Sequence, residues 1–266
     1  MLEALFDRAK SSHRAAIVPY VMAGDPDPFS TLQMLGELTQ AGVDMIELGI
    51  PYGDPLADGP TIAAAGQRAL DAGMTLRGVL EMVQLHKATG GAPIVLFTYF
   101  NPIYQFGIEA FAHEAAQAGA SGVIVPDIPL EEAAELSQML ATEGVDMPML
   151  VAPSTGRERL ERIAHASTGF IYVVSRLGVT GAGRQSGGQT LRAQISALRG
   201  ITEKPLAVGF GVSTPSDVRD LATLVDGVII GSALIDAYAS HAAEEAPARV
   251  REFIDPIVDA ANYAPV

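Results

Sequence analysis

Apolar and polar positions follow two different periods along the chain. Short, continuous apolar runs, each closed by Gly, Pro or Asp, are typical of parallel strands buried on both faces. There are eight: Ile17–Met22, Met45–Leu48, Ile94–Tyr99, Gly122–Val125, Pro148–Val151, Phe170–Val174, Leu206–Gly209 and Gly227–Ile230. Segments between them repeat apolar residues every three or four positions, which predicts amphipathic helices. These are Ser30–Gln40, Thr61–Ala72, Leu76–Lys87, Ile108–Ala118, Leu130–Glu143, Arg157–His165, Thr190–Leu198 and Pro215–Leu224.

This alternation, repeated eight times in about 250 residues, predicts a (β/α)8 TIM barrel. A doubly wound open sheet shows the same alternation, so periodicity alone leaves that alternative open. Extra helices are predicted before the first strand (Leu2–Ser11), between the second and third strands, and at the C-terminus (Pro247–Ala261). Because no linker or break in composition divides residues 1–266, we expect a single domain.

Composition narrows the function classes. The chain has 266 residues, 48% of them hydrophobic, and no cysteine, which excludes disulfides and thiolate chemistry. Its 31 acidic and 17 basic residues give a net charge of −14, which argues against a nucleic-acid surface. No apolar stretch approaches the roughly 18 residues that span a bilayer, and the N-terminus lacks the pattern of a signal peptide. We therefore expect a cytoplasmic protein that binds neither nucleic acid nor membrane.

Barrel enzymes build their sites at the carboxyl ends of the strands, and the lysines and histidines of this chain lie elsewhere. The three lysines, Lys10, Lys87 and Lys204, fall in helices or before a strand, and we expect them to be solvated surface charges. None of the five histidines follows a strand directly at the predicted mouth. The pattern therefore disfavours Schiff-base chemistry and an imidazole-bound metal, and we expect no metal site.

Three glycine-rich segments have two different interpretations. The stretch Gly178–Gly188 resembles a dinucleotide fingerprint only loosely, because its third glycine comes one position late and it follows the sixth strand. We expect a flexible loop there, either a lid or a plain surface loop. The turns Gly209–Ser213 and Gly231–Ala233 close strands seven and eight, where barrel enzymes usually bind phosphate through backbone N–H groups. Simple tight turns are the alternative.

The segment Glu47–Pro60 (ELGIPYGDPLADGP) is the most informative. Glu47 lies within a strand between apolar neighbours, so burial should raise its pKa and suit it to acid–base work. A structural salt bridge is the alternative for Glu47. Asp54 and Asp58 follow in a loop, where each could be only a turn or helix-cap residue.

These segments together resemble the tryptophan synthase α subunit family. The motifs that carry the resemblance run along nearly the whole chain: Glu47–Pro60, Pro19–Pro26 (PYVMAGDP), Asn101–Pro102, Val125–Pro129 (VPDIP), Tyr172–Gly181 (YVVSRLGVTG), Gly209–Gly211 (GFG) and Gly231–Ser232. Gly53 departs from the family, which usually has Ser or Thr there, and this affects the loop or an interface, not the reaction.

The resemblance implies a lyase of L-tryptophan biosynthesis that cleaves indole-3-glycerol phosphate to indole and glyceraldehyde 3-phosphate by a retro-aldol step. It implies that Glu47 is the general acid and base, that Asp58 hydrogen-bonds the indole N–H, and that Tyr172 supports the reacting carbons. The remaining substrate positions that it implies are Tyr20, Tyr99, Thr180 and Phe210 around the indole, and Gly181, Gly211, Gly231 and Ser232 at the phosphate.

The resemblance also implies a partner. The family's α subunit works in an α2β2 assembly and passes indole to a β subunit, which holds pyridoxal phosphate; no cofactor is expected in this chain. The loops Pro51–Pro60 and Asn101–Gly107 would face that partner. Two alternatives stay open: another phosphate-binding barrel, such as a phosphoribosyl isomerase or the lysine-dependent indole-glycerol-phosphate synthase, and a catalytically silent regulatory subunit.

Overall fold

The computed structural model describes residues 2–174, 182–209 and 211–262. In this part of the chain, eight parallel strands form one sheet in the order β4-β3-β2-β1-β8-β7-β6-β5. Their bounds are β1 Ala16–Met22, β2 Ile46–Gly49, β3 Ile94–Phe97, β4 Gly122–Ile124, β5 Met149–Val151, β6 Ile171–Val174, β7 Leu206–Gly209 and β8 Gly227–Ile230. All eight predicted strands are confirmed, with ends shifted by at most two residues.

The sheet closes between β4 and β5 through the residue Asp146, which precedes β5. The Asp146 N–H donates to the carbonyl of Ser121 at 3.1 Å, and the Val123 N–H donates to the carbonyl of Asp146 at 2.8 Å. This bridge joins the two end strands of the sheet, so the architecture is a TIM barrel and not an open sheet.

The helices surround the barrel on the outside. In the described residues they are α1 Glu3–Ser11, α2 Pro28–Ala41, α3 Pro60–Asp71, α4 Leu76–Ala88, α5 Phe100–Phe106, α6 Ile108–Ala118, α7 Ala134–Thr142, α8 Arg157–Ala166, α9 Ala182–Arg199, α10 Pro215–Ala222, α11 Ser232–Tyr238 and α12 Ala246–Ala260, with a 3-10 turn at Ala243–Glu245. Their apolar faces and the strands form a contiguous buried core. None of the helices described is long and apolar enough to cross a membrane.

Three local predictions about helices and loops are wrong. Helix α5 occupies most of Asn101–Gly107, predicted as a loop, and the Asp127 carboxylate accepts a 2.9 Å hydrogen bond from the N–H of its first residue, Phe100. The next helix, predicted from Leu130, starts only at Ala134. Helix α9 extends back to Ala182, because elongating a formed helix costs less than nucleating one, so the end of the glycine-rich stretch is helical.

Lys204 is not the solvated charge that the sequence predicts. Its ammonium donates to the carbonyls of Ala164, His165 and Ser167 at 2.8, 3.2 and 2.5 Å. These carbonyls lie at the C-terminal end of α8, where the helix dipole favours a cation. Lys204 precedes β7, so it lies at the opposite end of the barrel from the strands' carboxyl ends.

Candidate active site

The carboxyl ends of the strands surround a cavity of about 280 Å³. Its lining combines apolar side chains with a small set of polar groups, as ligand sites do. Seven predicted site residues lie on it: Tyr20, Glu47, Asp58, Tyr172, Gly211, Gly231 and Ser232. The structure thus brings together residues separated by up to 212 positions in the sequence.

Glu47 lies on β2 and faces the cavity. Its neighbour on β1 is Tyr20, and laterally paired residues of a parallel sheet project to the same side. The side chain is 1% exposed, and its Oε2 atom has no hydrogen-bond partner among the described residues. Burial, together with the nearby charge of Asp58, raises the pKa of Glu47 to about 8. The carboxyl is therefore largely protonated at neutral pH and can both give and take a proton near that pH.

Asp58 is held in the loop between β2 and α3 by a tyrosine. The Tyr99 hydroxyl donates to the Asp58 carboxylate and accepts the backbone N–H of Ala57 at 3.0 Å. Partial burial raises the pKa of Asp58, and the bond from Tyr99 opposes that rise. Helix α3 begins after Gly59 with no side-chain cap, so Asp58 is not the helix cap that its position could suggest.

Tyr99 itself lies behind this loop and not on the cavity wall. Its ring packs against Tyr52 with centroids 5.5 Å apart. The sequence predicts Tyr99 as a wall of the indole pocket, whereas in the structure its visible contacts orient the Asp58 loop. Phe97 takes the wall position instead, 5.9 Å from the Tyr20 ring in an edge-on arrangement. Sequence reasoning missed Phe97. Val95 on β3 pairs with Glu47, and alternate residues of a strand face the same side of the sheet. Phe97, two residues after Val95, therefore faces the same side as Glu47.

Two glycines make room for the tyrosine hydroxyls inside the barrel. A Cβ at Gly49 would lie 2.1 Å from the Tyr20 hydroxyl, and a Cβ at Gly209 would lie 2.4 Å from the Tyr172 hydroxyl. Burial raises the pKa of both tyrosines well above the usual value, and the charge of Glu47 adds to this for each. Both phenols are therefore neutral.

The other end of the cavity is formed by the turns after β7 and β8. Gly211 has a φ of +85°, which favours glycine, and Gly231 precedes α11, whose first residue is Ser232. The described lining residues include neither Lys nor Arg. An anion at this end would therefore be bound by backbone N–H groups and hydroxyls.

Other residues singled out in the sequence either fall outside the described part of the chain or lie away from the cavity. Thr180, Gly181 and Phe210 fall outside the described residues. Gly53 is exposed with open space where a Cβ would stand, so the Ser or Thr usual in the family would fit without rearrangement. Asn101 donates to the Tyr52 hydroxyl at 3.2 Å, away from the cavity.

Comparison with known proteins identifies close relatives. The family model described as "Tryptophan synthase alpha chain" matches residues 6–261. A tryptophan synthase alpha chain from Picosynechococcus is 47% identical over 96% of this chain and 97% of its own length. The one from Gloeobacter violaceus is 44% identical over 98% and 95%.

Solved structures agree with the sequence comparison. A crystal structure of tryptophan synthase from M. tuberculosis superimposes with a TM-score of 0.90 at 33% identity, covering 99% of this chain and 98% of that one. The tryptophan synthase subunit alpha from Legionella pneumophila gives 0.88 at 34% identity, with coverages of 98% and 97%.

Proposed function

This chain belongs to the tryptophan synthase alpha chain family, whose α reaction cleaves indole-3-glycerol phosphate to indole and glyceraldehyde 3-phosphate, and we propose that Glu47 and Asp58 carry this reaction. The chain is accordingly a carbon–carbon lyase of tryptophan biosynthesis. The observation that supports the assignment of roles is the position of Glu47, a buried carboxyl with a raised pKa and an oxygen that faces the cavity and has no partner among the described residues.

Glu47 moves one proton onto the ring and another off the glycerol chain. The protonated carboxyl first donates to indole C3, which leaves positive charge at the ring nitrogen. The carboxylate then takes the proton of the hydroxyl next to the scissile bond. As that oxygen becomes the aldehyde carbonyl, the carbon–carbon bond breaks, and its electrons return to the ring and restore indole. Glu47 ends the cycle protonated, as it began.

Asp58 acts where the charge develops. Its carboxylate accepts the indole N–H and stabilises the cation formed when C3 is protonated, an effect that grows towards the transition state. The Tyr99 hydroxyl fixes the carboxylate in position, and its hydrogen bond opposes the rise in the pKa of Asp58 that burial causes. Tyr172, whose hydroxyl is buried beside Glu47, supports the hydroxyl-bearing carbon.

The phosphate occupies the end of the cavity formed by Gly211, Gly231 and Ser232, with backbone N–H groups and the serine hydroxyl as donors. Gly181 is assigned to the same group, and Thr180 and Phe210 to the indole end, on the family resemblance alone. Tyr20 completes the wall between the two ends, next to Glu47. This phosphate-binding site requires no lysine or arginine, in keeping with the acidic composition of the chain.

A β subunit is the partner that family membership implies, and the proposed assembly is α2β2. Two large apolar side chains support an interface at the barrel mouth: Leu56, in the β2–α3 loop, is 80% exposed, and Tyr104, on α5, is 63% exposed. Both lie in the segments predicted to face the partner. We place pyridoxal phosphate only in that partner, since the three lysines here lie away from the mouth, and we place the protein in the cytoplasm as a single barrel domain.

Indole release from indole-3-glycerol phosphate tests the function, measured on the chain alone and after a β subunit is added. We expect release in both cases and faster release in the complex. A chain that binds and activates the β subunit but releases no indole under either condition would be a silent regulatory subunit. Turnover of a phosphoribosyl substrate in place of the indole substrate would indicate another phosphate-binding barrel.

A further inference from the structure

An ion pair with a buried carboxylate and a partly exposed arginine joins the two halves of the site at the end of β1. Asp25 follows this strand, is 0% exposed and accepts two hydrogen bonds from the guanidinium of Arg68, at 2.7 Å from Nε and 2.9 Å from Nη2. The buried Tyr238 hydroxyl donates to the same carboxylate at 2.9 Å. Three donors from two different helices therefore converge on one carboxylate, with its charge balanced by Arg68.

Each of those helices starts at one end of the cavity. Arg68 is on α3, which begins at Pro60, two residues after Asp58. Tyr238 is the last residue of α11, which begins at Ser232. Asp25 thus fixes the position of α3, which follows the loop at the indole end, relative to α11, which follows the turn at the phosphate end.

A second contact links the same two helices nearer the cavity. The Thr61 hydroxyl donates to the Asp236 carboxylate at 3.1 Å, and Asp236 lies on the cavity wall. Both contacts tie α3 to α11, one at the mouth and one deeper in the fold. Neither involves Glu47 or Asp58.

We propose that Asp25, Arg68 and Tyr238 are positioning residues that set the spacing between the indole end and the phosphate end of the cavity. The inference rests on the proposed function, because it requires those two ends to hold the two parts of one substrate. A ligand that spans both ends binds well only if their spacing matches its length, whereas a ligand for one end is insensitive to that spacing. Loss of the network should therefore weaken a linked ligand more than either fragment.

The test compares three ligands by titration calorimetry: indole, glycerol 3-phosphate, and an uncleavable indole alkyl phosphate that carries both ends. The variants are Asp25→Asn and Tyr238→Phe, the second of which removes a single hydroxyl and serves if the first does not fold. We expect each variant to bind the linked ligand about tenfold more weakly, as for one lost hydrogen bond to a charged group. Each fragment should keep its affinity within about twofold.

The matched control is Asp44→Asn, since Asp44 also accepts two bonds from an arginine, Arg14, but at the opposite end of the barrel. This variant should lower the melting temperature without changing the ratio of linked to fragment affinity. Equal weakening of all three ligands in the Asp25 and Tyr238 variants, or unchanged affinity for the linked ligand, would overturn the proposal.

Failure of the proposed function gives a different result. If the wild-type chain releases no indole, or if Glu47→Gln keeps its turnover, the assignment of the reaction to this cavity fails whatever the binding ratios are. If both activity results hold while the ratios do not change, only the role of Asp25, Arg68 and Tyr238 is refuted.

Discussion

Two carboxylates three residues apart, one just before strand β2 and one within it, have entirely different surroundings. Asp44, before the strand, accepts two hydrogen bonds from Arg14 at 2.5 and 2.7 Å and one from the Ile17 N–H at 2.9 Å. Glu47, within the strand, is more deeply buried and has an oxygen with no partner in the described structure, and the charge that acts on it is that of Asp58. One carboxylate is fully paired and the other is not.

The difference shows how the same chemical group serves stability in one place and reactivity in another. A buried charge that is paired with a cation and hydrogen-bonded stays ionised and holds two elements together. A buried carboxyl without a cation keeps its proton instead, which costs folding free energy at neutral pH but creates an acid. Among the described residues that line the cavity, neither lysine nor arginine neutralises it, so the proton remains available to substrate.

Replacing Glu47 with Gln should have the largest effect on turnover. The amide keeps the shape and hydrogen-bonding reach but cannot move a proton, so indole release should fall by at least about 10²-fold and as much as 10⁴-fold. Steady-state indole release with saturating substrate measures this. Turnover within about threefold of wild type would refute the assignment.

The same Glu47→Gln variant should not lose stability. Between pH 5 and 7.5 the native wild type holds a proton on Glu47 that the unfolded chain has released, so raising the pH lowers wild-type stability, and the variant lacks this slope. In urea unfolding, the free energy of unfolding of the variant minus that of the wild type should therefore increase by about 1.4 kcal/mol for each pH unit in that interval. A constant difference across the interval would mean that Glu47 is ionised in the fold.

Replacing Asp58 with Asn should have the next largest effect. Loss of the negative charge beside the indole nitrogen should lower kcat by about 10²-fold, as for removal of one group that stabilises charge in a transition state. The control is Asp54→Asn, an exposed carboxylate four residues earlier in the same loop. Equal losses in the two variants would assign the effect to the charge of the loop and not to Asp58.

Asp44→Asn should lower stability without lowering turnover, which distinguishes the role of Asp44 from that of Glu47. Without the charge, the bonds from Arg14 weaken, and the free energy of unfolding should fall by about 2 kcal/mol. Indole turnover per folded molecule should stay near the wild-type value, because the cavity is at the other end of the strand. A large loss of turnover with unchanged stability would contradict this account, because Asp44 would then serve the reaction and not the fold.

Ser232→Ala should have the smallest effect of these substitutions, and it tests whether the Ser232 hydroxyl binds the phosphate. Removal of one hydroxyl donor should weaken glycerol 3-phosphate binding about fivefold and leave indole binding unchanged. Gly211→Val is a poorer probe, since its φ of +85° would strain any β-branched residue regardless of ligand. Equal weakening of both ligands would remove Ser232 from the phosphate site.

The sequence predicted what depends on local pattern. Apolar runs defined the strands, and the polar residue inside one of them, Glu47, predicted a buried acid at the barrel mouth. Contacts between distant segments could not be read in this way. The bond from Tyr99 to Asp58, the pairing of Asp25 with Arg68, and the closure at Asp146 each depend on which strands become neighbours. Helix α5 was missed because it is only seven residues long and is supported by Asp127 from another loop.

The protonation state of Glu47 tests the central claim most directly. Infrared difference spectra of the wild type against Glu47→Gln, recorded from pH 5 to 10, isolate the carbonyl stretch of this one carboxyl group. A buried acid without a cation should keep its protonated band through pH 7 and lose it with a midpoint near pH 8. A carboxylate band already present at pH 6 would contradict the account, because Glu47 would then have no proton to give.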